Sequence, residues 1–254
     1  ATALRAYLQL HRQMGIDRYP ATPALRAFLQ ARHQAAPTRK PAPAATPPVA
    51  RPAVTGSAVL PAGDTLGAVG REIEACGLCS RGGTAESRLI GQGPVGAPLL
   101  VLGDFCSEVA TAGKVFGVEE DALLWKMMQA IALGPESVYC TNVLKCPCPE
   151  GAEPLAEQAC LGYLQREIAL VQPRVLLAMG AVAARVALGR EVSLVRVRGR
   201  LQRSRFVDRA GQPILVMVSF HPRSLLEQPA MKKAAWQDLK LVQRQLSSAP
   251  GAGG

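Results

Sequence analysis

The chain has 254 residues, of which 48% are apolar, and its mean hydropathy is +0.12. This composition provides enough apolar surface for a sizeable core in one or two domains. No apolar run reaches the roughly 18 residues that a membrane-spanning helix needs, and charged residues interrupt the N-terminal positions, unlike a secretion signal. We therefore expect a soluble, cytoplasmic protein without a membrane partner.

The positive charge is unevenly distributed along the chain. A net charge of +10 and an isoelectric point of about 9.6 favour a polyanionic partner. Residues 1–62 carry eight Lys and Arg residues and one acid, whereas residues 63–254 carry 21 bases and 18 acids. Only local basic clusters in the second part can therefore indicate a binding face.

Residues 1–34 contain a near repeat, ALRAYLQ at 3–9 and ALRAFLQ at 24–30. Its apolar residues fall at helical spacing, which predicts short amphipathic helices in an N-terminal arm that offers a site for a protein partner. The Pro/Ala-rich segment 35–62 is typical of an extended linker. Residues 249–254 are expected to form a flexible tail.

Residues 63–248 alternate apolar strands with helices, which is typical of a single α/β domain. Strands are predicted at 98–104, 137–143 and 173–180, followed by a basic strand pair at about 194–207 and 213–219. Helices are predicted at 121–133, 155–172, 181–188 and 230–246. Continuous apolar strands alternating with helices predict a three-layer α/β/α sandwich around a mainly parallel sheet.

Polar residues and glycines follow several of these strands. Asp104, Thr141, Asn142, Gly180 and His221 all stand at predicted strand ends. Because ligands bind at the carboxyl ends of strands in parallel sheets, we expect these residues to border one site.

Seven cysteines are present, an odd number that argues against a disulfide framework in a chain without a secretion signal. Cys76 and Cys79 form a pair with a two-residue gap, whereas Cys146 and Cys160 stand alone in a proline-rich loop and a predicted helix. This pattern favours an iron–sulfur cluster that draws ligands from several segments. A zinc site and unligated thiols stay open as alternatives.

The remaining cysteines have other predicted roles. Cys148 is an alternative to Cys146 as a ligand, because both lie in the same loop. Cys106 and Cys140 are expected to be buried thiols of the core or of a pocket wall.

Several ordered motifs resemble those of the family 4 uracil-DNA glycosylases, which carry a [4Fe-4S] cluster. They are CGLC (76–79), GKVFG (113–117), TNVLKC (141–146), QPRVLLAMGAVAA (172–184), VRGRLQ (197–202) and HPRSLL (221–226). The resemblance covers about residues 70–245. It implies a monomeric DNA glycosylase that hydrolyses the N-glycosidic bond of uracil, or of a related deaminated base, in single- or double-stranded DNA.

The resemblance also implies roles for individual residues. Phe116 would stack on a flipped-out base, Asn142 would recognise uracil N3–H and O4, and His221 would hydrogen-bond O2 as charge develops on the leaving base. Gly103 would border the base, and Asp104 would orient the attacking water. The cluster ligands would be Cys76, Cys79, Cys146 and Cys160.

DNA binding has candidates of its own. If residues 194–207 form a strand, Arg196, Arg198 and Arg200 alternate onto one face that suits phosphates, although a solvated basic edge strand has the same pattern. HPRSLL resembles a wedge that enters the minor groove with Leu225 and Leu226 at its tip. The predicted DNA contacts are Arg198, Arg200, Arg223, Ser224 and Leu225, with Lys145, Lys232 and Lys233 extending the patch.

The sequence departs from the family after the first strand. The family has Gly-Glu-Ala-Pro-Gly followed by an acidic pair, whereas this chain reads GDFCSE (103–108), with Asp104 in place of Glu. Asp104 or Glu108 would have to act on the water instead. This change keeps two other hypotheses open: a non-catalytic iron–sulfur protein that binds nucleic acid, and a redox metalloprotein without a DNA substrate.

Overall fold

A computed structural model describes residues 60–61, 63–79, 88–104, 114–147 and 154–248. The predicted N-terminal arm, nearly all of the linker and the C-terminal tail lie outside these ranges, so the predicted domain boundaries stay predictions. Cys106, Glu108 and Cys148 also lie outside the described residues.

Helices and strands alternate along the described part of the chain. The helices are α1 (Leu66–Glu74), α2 (Val118–Ala130), α3 (Pro154–Val171), α4 (Ala181–Leu188), α5 (Leu194–Val197), α6 (Pro222–Glu227) and α7 (Lys232–Ser247). The strands are β1 (Leu99–Gly103), β2 (Val138–Asn142), β3 (Val175–Met179), β4 (Gln202–Val207) and β5 (Pro213–Ser219). Short 3₁₀ turns occupy Pro135–Ser137 and Pro229–Met231.

The five strands form one sheet in the order β2-β1-β3-β5-β4. All neighbours pair in parallel except β4 and β5, which are antiparallel. After β1, the chain forms β2 on one side of β1 and then crosses over to form β3 on the other side of β1. The carboxyl ends of β1, β2, β3 and β5 therefore lie along one edge, next to the point where the strand order reverses.

Alternate strand residues build two separate cores, one on each face of the sheet. Leu100, Leu102 and Leu176 pack against α3, α4 and α5. Leu99 and Leu177 pack on the opposite face against α2 and α7. The predicted three-layer sandwich with a mainly parallel sheet is confirmed.

Helix α2 covers Val118–Ala130, so it begins three residues earlier and ends three residues earlier than the helix predicted at 121–133. Gly117, whose φ is 139°, caps its N-terminus, and Glu119, Glu120 and Asp121 fill the first turn. Acidic side chains are stabilising at this end of a helix because of the helix dipole. Past the C-terminus, Ala132 adopts a φ of 59° and turns the chain away.

The predicted strand over 194–207 is wrong in its first half. Leu194–Val197 forms the short helix α5, and strand β4 starts only at Gln202. Arg196, Arg198 and Arg200 therefore do not alternate along a strand face. Alternation of two residue types over so few positions fits one helical turn as well as a strand, and Gly199, with a φ of 80°, separates the two elements.

None of the helices in the described ranges is both long and apolar enough to cross a membrane.

Candidate active site

Gly103, Phe116 and Asn142 meet at the carboxyl edge of the sheet. Gly103 and Asn142 are register partners at the ends of β1 and β2. Phe116 is buried above them, and a Cβ atom on Gly103 would overlap both its ring and the Asn142 Oδ1 atom. Glycine at position 103 is what allows the ring to lie this close to the strand end.

The Asn142 side chain is fully buried and only partly hydrogen-bonded. Its Nδ2 donates to the Val115 carbonyl oxygen, whereas Oδ1 has no partner among the described residues. Because buried polar atoms nearly always find a partner, an acceptor without one indicates a ligand position.

His221 follows β5 and caps the N-terminus of α6. Its Nδ1 accepts a hydrogen bond from the Arg223 backbone N–H at 3.2 Å, and its ring stands edge-on to Phe116 with the centroids 5.4 Å apart. Burial lowers the pKa of His221 to about 4, so the ring is neutral at pH 7. Since Nδ1 accepts, the proton is on Nε2, a buried donor without a partner in the described part of the chain.

The buried acceptor of Asn142 and the buried donor of His221 therefore both lie beside Phe116. A planar ring with an N–H group next to a carbonyl would satisfy both atoms, and Phe116 would give it an aromatic contact.

Asp104 follows Gly103 directly but faces a different element. Its carboxylate accepts from the Ala183 backbone N–H at 2.6 Å and lies at the N-terminus of α4. Gly180 leaves room for it, because a Cβ atom there would overlap the carboxyl group. Burial raises the pKa of Asp104 to about 6. No hydrogen bond within the described ranges joins it to Phe116, Asn142 or His221.

Two acids that support this site, Glu120 and Asp121, are not among the residues predicted from the sequence. Asp121 accepts hydrogen bonds from the backbone N–H groups of Val115 and Phe116, and Glu120 accepts one from Arg223 Nε. Acidic residues are common in the first turn of a helix, so nothing in the sequence distinguished them.

The four predicted cluster ligands come from three segments on one side of the domain. Cys76 and Cys79 follow α1, Cys146 follows β2, and Cys160 lies in α3, in a small buried cluster against which Cys79 packs. All four are free thiols. Burial raises the pKa of Cys146, and raises that of Cys160 to about 11, while neighbouring thiols add to both shifts.

As they stand, no three His, Cys, Asp or Glu side chains of the described residues form a set that could hold a metal ion. The donor chemistry nevertheless fits a cluster bound by four thiolates. Arg88 Nη1 donates to Cys146 Sγ at 2.6 Å, and the Lys145 backbone N–H donates to Cys160 Sγ at 3.4 Å. Hydrogen bonds of this kind offset thiolate charge at cluster sites.

Lys145 is not on the predicted DNA patch. Its side chain is 1% exposed, and its Nζ contacts Glu167 Oε2 at 2.5 Å and Thr141 Oγ1 at 2.6 Å. This buried ion pair ties the TNVLKC segment to α3. Because the ammonium group of Lys145 is buried and already paired with a carboxylate, it is not available to contact a DNA phosphate.

The structure divides the predicted DNA contacts into two groups. Arg198 binds the fully buried Asp238 carboxylate at 3.0 Å and covers the Phe220 ring, so its guanidinium is held inside the fold. Arg200 lies exposed in the loop before β4. Arg223 is 40% exposed at the start of α6.

The predicted wedge tip is wrong for Leu225, which is 1% exposed. Helix α6 turns Pro222 and Leu225 inward, and Leu225 lines an apolar cavity together with Leu123 of α2 and Leu239 of α7. Ser224 and Leu226, by contrast, are only half-buried. The exposed side of α6 therefore carries Arg223, Ser224 and Leu226.

Three proteins that are similar to this chain share one name. The Type-4 uracil-DNA glycosylase of Archaeoglobus fulgidus is 28% identical over 186 residues, which cover 70% of this chain and 92% of that protein. Proteins of the same name from Saccharolobus solfataricus and Thermotoga maritima are 27% and 28% identical, over 74% and 62% of this chain and 89% and 81% of their own lengths. The family model described as the uracil DNA glycosylase superfamily matches residues 90–240. Because this match spans more than half of the chain, the protein belongs to the uracil DNA glycosylase superfamily.

Proposed function

We propose that the protein is a uracil-DNA glycosylase of DNA repair, which hydrolyses the bond between uracil and deoxyribose and leaves an abasic site. The observation that carries this proposal is a pair of buried atoms beside Phe116 that have no hydrogen-bond partner among the described residues: the acceptor Asn142 Oδ1 and the donor His221 Nε2–H. Uracil presents the complementary groups, N3–H and O2, on one side of its ring.

The base enters this pocket after it leaves the helical stack, because the scissile bond of a stacked nucleotide is not accessible. Phe116 contacts the flipped base. Asn142 accepts from N3–H through Oδ1, and the second hydrogen of Nδ2 is directed to O4. A pocket that pairs with each polar edge of uracil disfavours cytosine, whose N3 lacks the hydrogen.

His221 acts on the departing base. As the bond between N1 and C1′ breaks, the electron pair moves onto the uracil ring and negative charge develops at O2. The neutral His221 donates from Nε2–H to this oxygen, and no proton has to be transferred. The sugar develops oxocarbenium character, and water adds at C1′.

Asp104 is the proposed acid that orients this water and accepts its proton. Its pKa of about 6 keeps the carboxyl group ionised at neutral pH. Each carboxylate oxygen has more than one lone pair, so the hydrogen bond from Ala183 leaves acceptor capacity for water.

A [4Fe-4S] cluster bound by Cys76, Cys79, Cys146 and Cys160 is part of this proposal. It is supported by the four free thiols and by the N–H donors at two of the sulfurs. When bound, the cluster would connect the segment after α1 to the segment that carries Asn142, and it would take no part in the hydrolysis.

DNA is the proposed partner, contacted by Arg200, Arg223, Ser224 and Leu226. These residues lie in the loop before β4 and on the exposed side of α6. Monomeric state, cytoplasmic location and a protein partner for the N-terminal arm stay predictions from the sequence.

One observation favours a second candidate, a protein that binds uracil-containing DNA without hydrolysis. The Asp104 carboxylate is directed at the α4 N-terminus, and no contact in the described ranges brings it to the base pocket.

An excision assay separates the two candidates. Anaerobically purified protein, checked for iron and for absorbance near 400 nm, is mixed with a labelled oligonucleotide that contains one uracil, and abasic sites are then cleaved by alkali. A strand with thymine at that position is the control. Uracil-dependent cleavage is expected; uracil-dependent binding without cleavage supports the second candidate instead.

A further inference from the structure

Helix α2 begins with two consecutive buried acids. Glu120 and Asp121 are each 4% exposed, whereas Glu119, one residue earlier, is exposed. Burying a carboxylate is costly unless it is hydrogen-bonded or paired. The contacts that compensate these two charges lead to two different residues of the base pocket, Phe116 and His221.

Asp121 supports the side of the pocket formed by Phe116. Its two carboxylate oxygens accept from the Val115 N–H at 3.0 Å and from the Phe116 N–H at 2.9 Å. The Val115 carbonyl in turn accepts from Asn142 Nδ2. One carboxylate therefore fixes the backbone that carries the aromatic ring and also orients the amide of Asn142.

Glu120 supports the side formed by His221. Its Oε1 accepts from Arg223 Nε at 3.0 Å. The backbone N–H of Arg223 donates to His221 Nδ1, the bond that leaves the imidazole proton on Nε2. Glu120 thus holds the start of α6 against α2, and with it the segment that orients the histidine.

We propose that Glu120 and Asp121 are positioning residues that set the distance and orientation between Asn142 and His221, and so prepare the pocket for the base. Their position on one helical turn makes α2 the common support of both sides. This inference rests on the proposed function. Asparagine at position 121 would have only one acceptor oxygen for the two backbone N–H groups. Its NH₂ group would then face the second N–H, which places two donors against each other.

The test compares Asp121→Asn and Glu120→Gln with the matched control Glu119→Gln, which removes the same charge at the exposed neighbouring position. Four quantities are measured. They are the rate of single-turnover excision by folded protein that contains iron, the inhibition of excision by free uracil, the affinity for abasic-site DNA and the melting temperature. Free uracil tests the pocket alone, whereas abasic-site DNA tests the remaining interface.

For Asp121→Asn, the excision rate should fall roughly 10- to 100-fold, because small displacements of substrate-contacting groups have effects of this size. Inhibition by uracil should weaken by a similar factor, with abasic-site affinity within about twofold of wild type. Glu120→Gln retains one acceptor for Arg223, so it should show a smaller loss of the same kind. Glu119→Gln should match wild type throughout.

The inference is overturned if Asp121→Asn and Glu120→Gln excise uracil and bind it like Glu119→Gln, or if their losses only parallel lower melting temperature and abasic-site affinity. If Asp121→Asn does not fold, Glu120→Gln decides by the same criteria. If the wild-type protein releases no uracil, the proposed function fails; calorimetric binding of free uracil then still compares the variants, so the two failures are distinguishable.

Discussion

Gly103 and Phe116 approach each other so closely that a Cβ atom on Gly103 would overlap the aromatic ring. The same atom would overlap Asn142 Oδ1, which has no hydrogen-bond partner in the part of the chain that the structure describes. The end of β1 therefore packs directly against the two side chains that are proposed to recognise the base, Phe116 and Asn142.

Gly103→Ala should therefore damage the pocket without unfolding the domain. The added methyl group displaces the Phe116 ring or the Asn142 amide, and we expect uracil excision to fall by about 100-fold or more. Circular dichroism should keep the folded spectrum, because Gly103 ends a strand and its φ is not positive, while the melting temperature should fall moderately, since overpacking of buried side chains costs about 1–3 kcal/mol. Wild-type activity in this variant would contradict the described packing.

Excision should depend on pH through Asp104. Its raised pKa of about 6 means that the carboxyl group is mainly protonated below pH 6 and ionised above it. Since only the ionised form accepts a proton from water, the rate should fall about tenfold per pH unit on the acid side and level off above pH 7. His221, with a pKa of about 4, stays neutral over this range.

Asp104→Asn should be slow at every pH and should lack the acid limb. A limb that persists unchanged in this variant would assign the titration to another group.

Arg198 and Arg200 should behave differently although only Gly199 separates them. Arg198→Ala leaves the fully buried Asp238 carboxylate without its guanidinium partner, which should lower the free energy of unfolding by about 3 kcal/mol. Arg200→Ala should leave stability unchanged, weaken DNA binding and reduce its salt dependence by about one ion. Denaturant titrations measure the stability of each variant, and DNA binding at several salt concentrations measures its phosphate contacts. If Arg198→Ala weakened DNA binding and Arg200→Ala lowered stability instead, Arg198 would be the phosphate contact.

Cluster binding should depend on Cys160 but not on Cys140. Both thiols are buried and free, yet of the two only Cys160 belongs to the buried cluster against which another predicted ligand, Cys79, packs. Cys160→Ser should lose most of the iron and the absorbance near 400 nm, while Cys140→Ala should retain both. Equal iron contents in the two variants would contradict the proposed ligand set.

The sequence predicted the parallel part of the sheet and the positions of the candidate pocket residues at strand ends. Apolar runs such as Leu99–Gly103 and Val138–Asn142 are local signals, and parallel pairing places their ends together. Motif resemblance then identified Gly103, Phe116, Asn142 and His221, all of which lie at that edge.

The ion pairs of Glu120 and Arg198 could not be predicted in this way because they join distant positions. Glu120 and Arg223 are 103 residues apart, and Arg198 and Asp238 are 40 apart. No periodicity relates such pairs. The alternating arginines led to a wrong prediction at α5, because residue periodicity over four positions cannot distinguish a helix from a strand. The exposed tip predicted at Leu225 was also wrong, because helix α6 buries that side chain.

Asn142 and His221 are proposed to contact the same uracil ring, and a double-mutant cycle of single-turnover excision tests this shared contact most directly. Asn142→Ala and His221→Ala should each slow excision by about 100-fold or more while abasic-site DNA is still bound. Combined, they should slow it by much less than the product of the single effects, because each loss already misplaces the base for the other residue. Wild-type rates in either single variant, or fully multiplicative losses in the double variant, would contradict a shared base contact.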